Sequence, residues 1–189
     1  MNAYDFDWTI FHPDSSYAFF KYCLKRFPRV VMREPGRKIK AVFSYITGGD
    51  SADAAPMKEA FFSFLAYIPE VETVVDDFWK ENEKNIASWY LKQKKPDDLI
   101  ISASPEFLLR PICEKLGVSL IATPMDPATG HILGLNCHDH EKVRRFRAEY
   151  PDAVIDSFYS DSLCDAPLAG IAQKAFFVIK DRILPWPEK

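Results

Sequence analysis

The sequence predicts an α/β fold: a parallel sheet whose first strand is separated from the others by a long helical stretch. Three observations carry this. A short apolar run, Ala3-Tyr4-Asp5-Phe6, opens the chain and carries two carboxylates one residue apart, Asp5 and Asp7. Residues from about 14 to 95 show only helical periodicity. From Leu99 onward short apolar runs alternate with helical ones, which implies parallel strands joined by right-handed crossovers.

Each element has its own signal. If the first run is a buried strand, Asp5 leaves the sheet at its carboxyl end, where open α/β sheets place ligands. Asp14, Ser15 or Ser16 can cap a helix with apolar positions at Tyr17, Phe19, Phe20, Cys23, Leu24 and Phe27, stopped by Pro28. A second helix is expected over about 35–46 (Ile39, Val42, Phe43, Ile46), then a loop at Gly48-Gly49-Asp50-Ser51. A third runs over about 53–67 with Met57, Phe61, Phe62 and Leu65, and Pro69 breaks it. A fourth is expected over about 71–94, with Val74, Val75, Phe78, Ile86, Trp89 and Tyr90. Four helices with short connections suggest a small bundle.

Pro96 marks a change of character. Leu99-Ile100-Ile101-Ser102 reads as a strand, and Ser104-Pro105 as cap and first position of a helix that Gly117 ends. Val118–Ala122 is a second strand of this half, and Asp126-Pro127-Ala128-Thr129-Gly130 a turn between two short strands, the latter near His131–Leu135. Glu141–Tyr150 reads as a helix, Ala153–Tyr159 as a strand, Ala166–Ala172 as a short helix and Ala175–Ile179 as a strand. The Pro185-Trp186-Pro187 stretch is expected to be an extended tail.

Composition narrows the function classes. With 24 basic and 27 acidic residues the net charge is −3, which argues against a general nucleic-acid binder. No apolar stretch reaches the roughly 18 residues of a membrane span, so stable membrane insertion is not expected. The N-terminus runs into Asp5 without the basic and apolar regions of a signal peptide. Four scattered cysteines (Cys23, Cys113, Cys137, Cys164) form no C-x-x-C pair. They read as reduced thiols in a cytoplasmic protein. Nothing in the sequence speaks to oligomeric state.

The strand ends are where chemistry collects. Asp5 and Asp7 repel one another and raise each other's pKa unless a cation lies nearby. A hard divalent cation such as magnesium needs only one or two carboxylates plus waters and a substrate phosphate, and its charge frees a carboxylate to act as nucleophile. Ser102 ends a second strand, Asp161 with Asp165 follows the strand at Tyr159, and Lys142 begins a helix. In a parallel sheet these positions converge on one crevice. Together they offer the nucleophile, proton donor, metal ligands, hydroxyl and cation that phosphoryl transfer requires.

Four stretches, in order and spacing, carry a family resemblance: Asp5-Phe6-Asp7-Trp8-Thr9-Ile10, Leu99-Ile100-Ile101-Ser102-Ala103-Ser104, the run from Asn136 to Arg144, and Tyr159-Ser160-Asp161-Ser162-Leu163-Cys164-Asp165. With them the chain resembles the haloacid dehalogenase-like (HAD) phosphohydrolase superfamily, in its phosphoserine-phosphatase-like branch, over nearly its whole length. The resemblance implies a Rossmann-like core (1–13 and 96–189) with a helical-bundle cap (14–95) inserted after the first strand. It implies Asp5 as the nucleophile that becomes an aspartyl-phosphate, and Asp7 as general acid and then base. It implies Mg²⁺ held by the Asp5 carboxylate, the Asp7 backbone carbonyl and Asp161, with Asp165 in support or holding Lys142. Ser102 and Lys142 would bind the phosphate, and Thr9 completes the first motif. A small phosphorylated metabolite is the expected partner.

Each residue also has a plainer reading. Ser102 can simply end a strand, Lys142 can belong to a basic helix face with Arg144, Arg145 and Arg147, and Asp165 can be a helix-start acid. Ser104 reads as a helix cap rather than a phosphate ligand. His138 and His140 read as surface residues rather than a metal pair, and the aromatics of 14–95 chiefly as bundle core. Two departures stand out: Trp8, and Ser160 before Asp161, occupy positions where the family commonly has glycine. Asp7 favours phosphoryl transfer over dehalogenation, because the dehalogenases lack it. The alternatives are a phosphotransferase or mutase, a lipid head-group phosphatase suited to the aromatic stretch, and a non-catalytic binding module of the same fold.

Overall fold

The computed structural model describes residues 1–33 and 55–187. The helix expected over 35–46, the loop at 48–51 and the start of the third expected helix lie outside the described residues. Six strands form one sheet: β1 Asn2–Tyr4, β2 Leu99–Pro105, β3 Ser119–Thr123, β4 Ser157–Ser160, β5 Lys174–Ile179 and β6 Arg182–Pro185, in the order β3-β2-β1-β4-β5-β6. The first five are mutually parallel and β6 is antiparallel to β5. The expected α/β class and parallel sheet are thus observed, with β1 at the centre.

Side-chain alternation gives the sheet two buried faces. Tyr4, Ile100 and Tyr159 point to one side, Ala3, Leu99, Ile101 and Phe158 to the other. The first face is covered by the helices between β1 and β2 and by α6 (Glu106–Leu116). The second is covered by α7 (His140–Glu149) and α8 (Ala166–Ala169).

Between β1 and β2 the described regular elements are helices. Among them are α1 (Ser15–Arg26), α2 (Pro28–Val31), α3 (Ala55–Phe62), α4 (Val71–Asn82) and α5 (Ser88–Gln93). Asp14 caps α1, accepting the Tyr17 N–H at 2.7 Å. Phe19, Phe61, Phe62, Phe64 and Phe78 are fully buried against one another, each contributing about 1.5–3 kcal/mol by burial. Trp79 joins them and donates its indole N–H to the Leu108 carbonyl at 2.6 Å. These rings are core, as the aromatic stretch suggested.

Several elements differ from the sequence reading. The single helix expected over 71–94 is interrupted at Glu83–Asn85, a 3-10 turn, because the next residues bond elsewhere. The Ala87 N–H donates to Ile10 O at 2.8 Å, the Asn85 carbonyl accepts from His12 N–H at 3.3 Å, and Ile86 forms an isolated bridge with Phe11. The two short strands expected around the 126–130 turn reduce to one bridge between Met125 and Ile132, although the turn itself forms. Residues 153–156 lie outside β4. The expected extended tail is instead paired: Pro185 belongs to β6, and Trp186 packs under the second face. No helix among the described residues is long and apolar enough to cross a membrane.

Candidate active site

Asp5 is the first residue beyond β1, and its N–H still donates to the Tyr159 carbonyl of β4 at 2.9 Å. Its carboxylate is buried and accepts the Lys142 ammonium at 2.7 Å. Lys142, in the first turn of α7, also reaches both oxygens of Asp165 at 2.7 and 2.9 Å. Burial works against the ammonium, but Asp165 and then Asp5 outweigh it, so its pKa is raised. Burial likewise pushes the Asp5 carboxyl up, and Lys142 opposes that shift. One ammonium thus bridges two carboxylates at hydrogen-bond distance. Ser160 holds the far side: its hydroxyl donates to Asp165 at 2.7 Å and accepts the Ser162 N–H at 3.0 Å. The serine in place of glycine is therefore a hydrogen-bonding partner of the site.

Asp161 follows β4 and is bound to Thr9, whose hydroxyl donates to its carboxylate at 3.2 Å and accepts its N–H at 3.0 Å. Burial raises the Asp161 carboxyl to about 6 despite the Thr9 bond. Ser102 lies inside β2 rather than ending it as expected, where the β2–β3 register shifts after Ile101; it is buried, its hydroxyl accepting the Ser104 N–H at 3.1 Å. Asp5, Ser102, Lys142, Asp161 and Asp165 line one cavity of ≈ 120 Å³. The donor set suits a hard cation: two carboxylates, buried Asp5 and half-buried Asp161, carry raised pKa values that a divalent charge would relieve. Among the described residues no three His, Cys, Asp or Glu side chains gather as a self-sufficient metal cluster.

Asp7 is held differently. One oxygen accepts the Ser15 N–H at 2.7 Å, at the start of α1, and the other accepts the Ser104 hydroxyl at 2.5 Å. Burial, followed by the charge of Asp14, raises its carboxyl to about 7, against the bonds from Ser104 and Ser15. A carboxyl so poised both gives and takes protons near neutrality. Here the sequence reading of Ser104 is corrected. It lies in β2 rather than capping a helix, Pro105 stands at the cap of α6, and the Ser104 side chain faces Asp7.

Three further residues border the cavity. Lys58 of α3 is buried and donates to Ala103 O at 2.9 Å and to Asn136 Oδ1 at 2.8 Å. Its signal was present in the sequence: it occupies the stripe of Phe61, Phe62 and Leu65 at helical spacing, where an apolar residue belongs. His138 is buried at the cavity, not on the surface as expected, whereas His140 is exposed. Trp8 is 51% exposed at the cavity with φ 59°. That backbone angle explains why glycine suits the position, since the left-handed region costs other residues about 1–2 kcal/mol. The buried Phe61, Phe62, Phe64 and Trp79 do not line this cavity, which removes the support the aromatic stretch lent to a lipid head-group substrate.

Residues 3–170 match the family of haloacid dehalogenase-like hydrolases. The chain belongs to that family. It is 30% identical to protein CicA of Caulobacter vibrioides (strain NA1000 / CB15N) over 197 residues, covering 91% of this chain and 82% of CicA. Among solved structures, this hydrolase-family chain is similar to a protein of unknown function from Bordetella pertussis Tohama I. The two share 22% identity and a TM-score of 0.72, over 93% of this chain and 87% of the other. A substrate-bound phosphoserine phosphatase complex shares 16% identity with a TM-score of 0.61, over 92% and 82% of the two chains. These structures share the fold of this haloacid dehalogenase-like chain.

Proposed function

We propose that the chain is a phosphatase that hydrolyses a small phosphomonoester in two steps through a phosphorylated Asp5. The observation that carries this reading is the buried Asp5 carboxylate, ion-paired with Lys142, opening onto a cavity of ≈ 120 Å³. In the first step an Asp5 oxygen attacks phosphorus, the bond to the leaving oxygen breaks, and Asp7 delivers a proton to that oxygen. In the second, water attacks the phosphorus, Asp7 takes its proton, and the bond to Asp5 breaks to release phosphate. The Ser102 hydroxyl and the Lys142 ammonium hold the non-bridging oxygens. Asp5, Asp161 and the Asp7 carbonyl are the ligands we assign to Mg²⁺, which supplies the charge that lets an anionic nucleophile approach a phosphate dianion. The helices between β1 and β2 act as a cap, contributing Lys58 to the cavity wall and limiting the leaving group to a small, polar one. Membership of a hydrolase family and the fold shared with a phosphoserine phosphatase support the reading.

The test is phosphate release from an aryl phosphate and a panel of small natural phosphates, with Mg²⁺ and with chelator. Metal-dependent release by the wild type, lost in Asp5→Asn with the thermal transition retained, is the expected result. Turnover by Asp5→Asn would remove Asp5 as the nucleophile.

A further inference from the structure

We propose that Ser104, with Ser15 and Ser16, is a positioning device for Asp7: a buried hydroxyl cluster that holds the carboxyl in one orientation. The proposal rests on the reading of Asp7 as proton donor and acceptor. Ser15 and Ser16 are fully buried and Ser104 nearly so. The Ser104 hydroxyl lies 2.5 Å from Asp7 Oδ2, accepts from the Ser15 hydroxyl at 3.2 Å and lies 3.1 Å from that of Ser16. The opposite oxygen, Oδ1, is pinned by the Ser15 N–H at 2.7 Å.

Both oxygens of the carboxyl are held, Oδ1 by a backbone N–H of α1 and Oδ2 by a side-chain hydroxyl of β2, so the group cannot turn about its Cβ–Cγ bond without breaking a bond on each side. Ser104 is in turn oriented by the Ser15 and Ser16 hydroxyls, which fix the buried position from which it reaches Asp7. The cluster also joins core to insert, since Ser104 is in β2 and the other two begin α1.

The discriminating readout is dependence on the leaving group. With saturating Mg²⁺, kcat/KM is compared between an alkyl phosphate (glycerol 2-phosphate), which needs a proton on its leaving oxygen, and 4-nitrophenyl phosphate, which needs it far less. We expect Ser104→Ala to lose at least roughly 10-fold more on the alkyl than on the aryl ester, and Ser104→Thr to keep the wild-type ratio within about 3-fold. Asp7→Asn should show the same selectivity more strongly. Equal losses of Ser104→Ala on both esters, beside a selective Asp7→Asn, overturn the positioning role alone. An unselective Asp7→Asn overturns the acid assignment and the proposal with it. If Ser104→Ala does not fold, the Ser15→Ala/Ser16→Ala pair carries the same comparison, and an unchanged ratio there overturns the cluster.

Discussion

Lys142 is the residue at which the charges of the site meet. Its ammonium touches Asp5 and both oxygens of Asp165 while nearly fully buried. Replacing it by methionine keeps the stem and removes the charge, leaving two buried carboxylates to repel each other. We expect Lys142→Met to abolish turnover and to lower stability at neutral pH by about 3–5 kcal/mol, read by urea unfolding. A variant as stable as the wild type would mean that solvent already screens the pair. Asp5, Asp7, Lys142, Asp161 and Asp165 could be placed near one another because each follows a strand or begins a helix, and the hydrophobic pattern locates those boundaries; Ser102 reached the same cavity although its strand runs on to Pro105. Ser104, His138 and Lys58 could not be placed so. Pattern says which residues are near a strand end but not which way a side chain turns there. For Ser104 the choice between capping a helix and bonding Asp7 is made by a residue distant in sequence. Lys58 broke an apolar stripe, and a broken stripe is ordinarily discounted as noise.

The helix α7 shows how one element is fixed in register so that Lys142 points inward. Glu141 accepts from Arg144 at 2.6 and 2.7 Å and from Arg145 at 2.8 Å. Arg145 also donates to Ala122 O at 2.9 Å and Leu135 O at 2.7 Å, tying the helix to β3 and the following loop. The Arg144 bond, aided by Arg145, lowers the Glu141 carboxyl to about 2. A depressed acid stabilises the fold above its unfolded pKa and loses that contribution as pH falls through the folded one. We therefore expect Glu141→Gln to cost about 1 kcal/mol near neutrality, the arginine partners being part-exposed, and the difference from wild type to vanish between about pH 4.3 and pH 2. Unfolding curves across that range check it, and a constant difference would assign the cost to packing. Arg145→Ala should cost more than Arg144→Ala, because only Arg145 bonds to two backbone carbonyls. Elements were misjudged where tertiary bonds override local preference. The 71–94 helix has no proline or glycine to interrupt it, yet the 10–12 segment captures its backbone groups at 85–87. Strand β6 escaped notice because its hairpin turns on Lys180 (φ 57°) rather than on the Asn-Gly or Asp-Gly that signals such turns.

At the scale of the whole molecule the core and the helical insert are locked by close backbone contact as well as by apolar burial. Gly130 has φ +80°, and a Cβ there would stand 2.6 Å from the Phe62 carbonyl at the end of α3. We expect Gly130→Ala to destabilise by about 1–3 kcal/mol, measured by thermal unfolding. If the insert moves as a cap, the same substitution should also raise KM. The class of fold was legible because a long stretch of period 3.6 followed by alternating strands and helices has few other solutions. The position of β1 in the sheet was not, because neighbours in a sheet are chosen by crossovers that leave no local trace. That position has a consequence for how the molecule comes into being. Ala3 pairs with Leu99 on one side and Phe158 on the other. The strand made before the other five thus waits for both neighbours to be synthesised, with Tyr4, Phe6 and the Asp5 carboxylate unsheltered meanwhile. Closing such distant contacts slows folding, so Asp5 enters its final surroundings late, and a chain ending short of Phe158 lacks the strand that closes the sheet on that side of it.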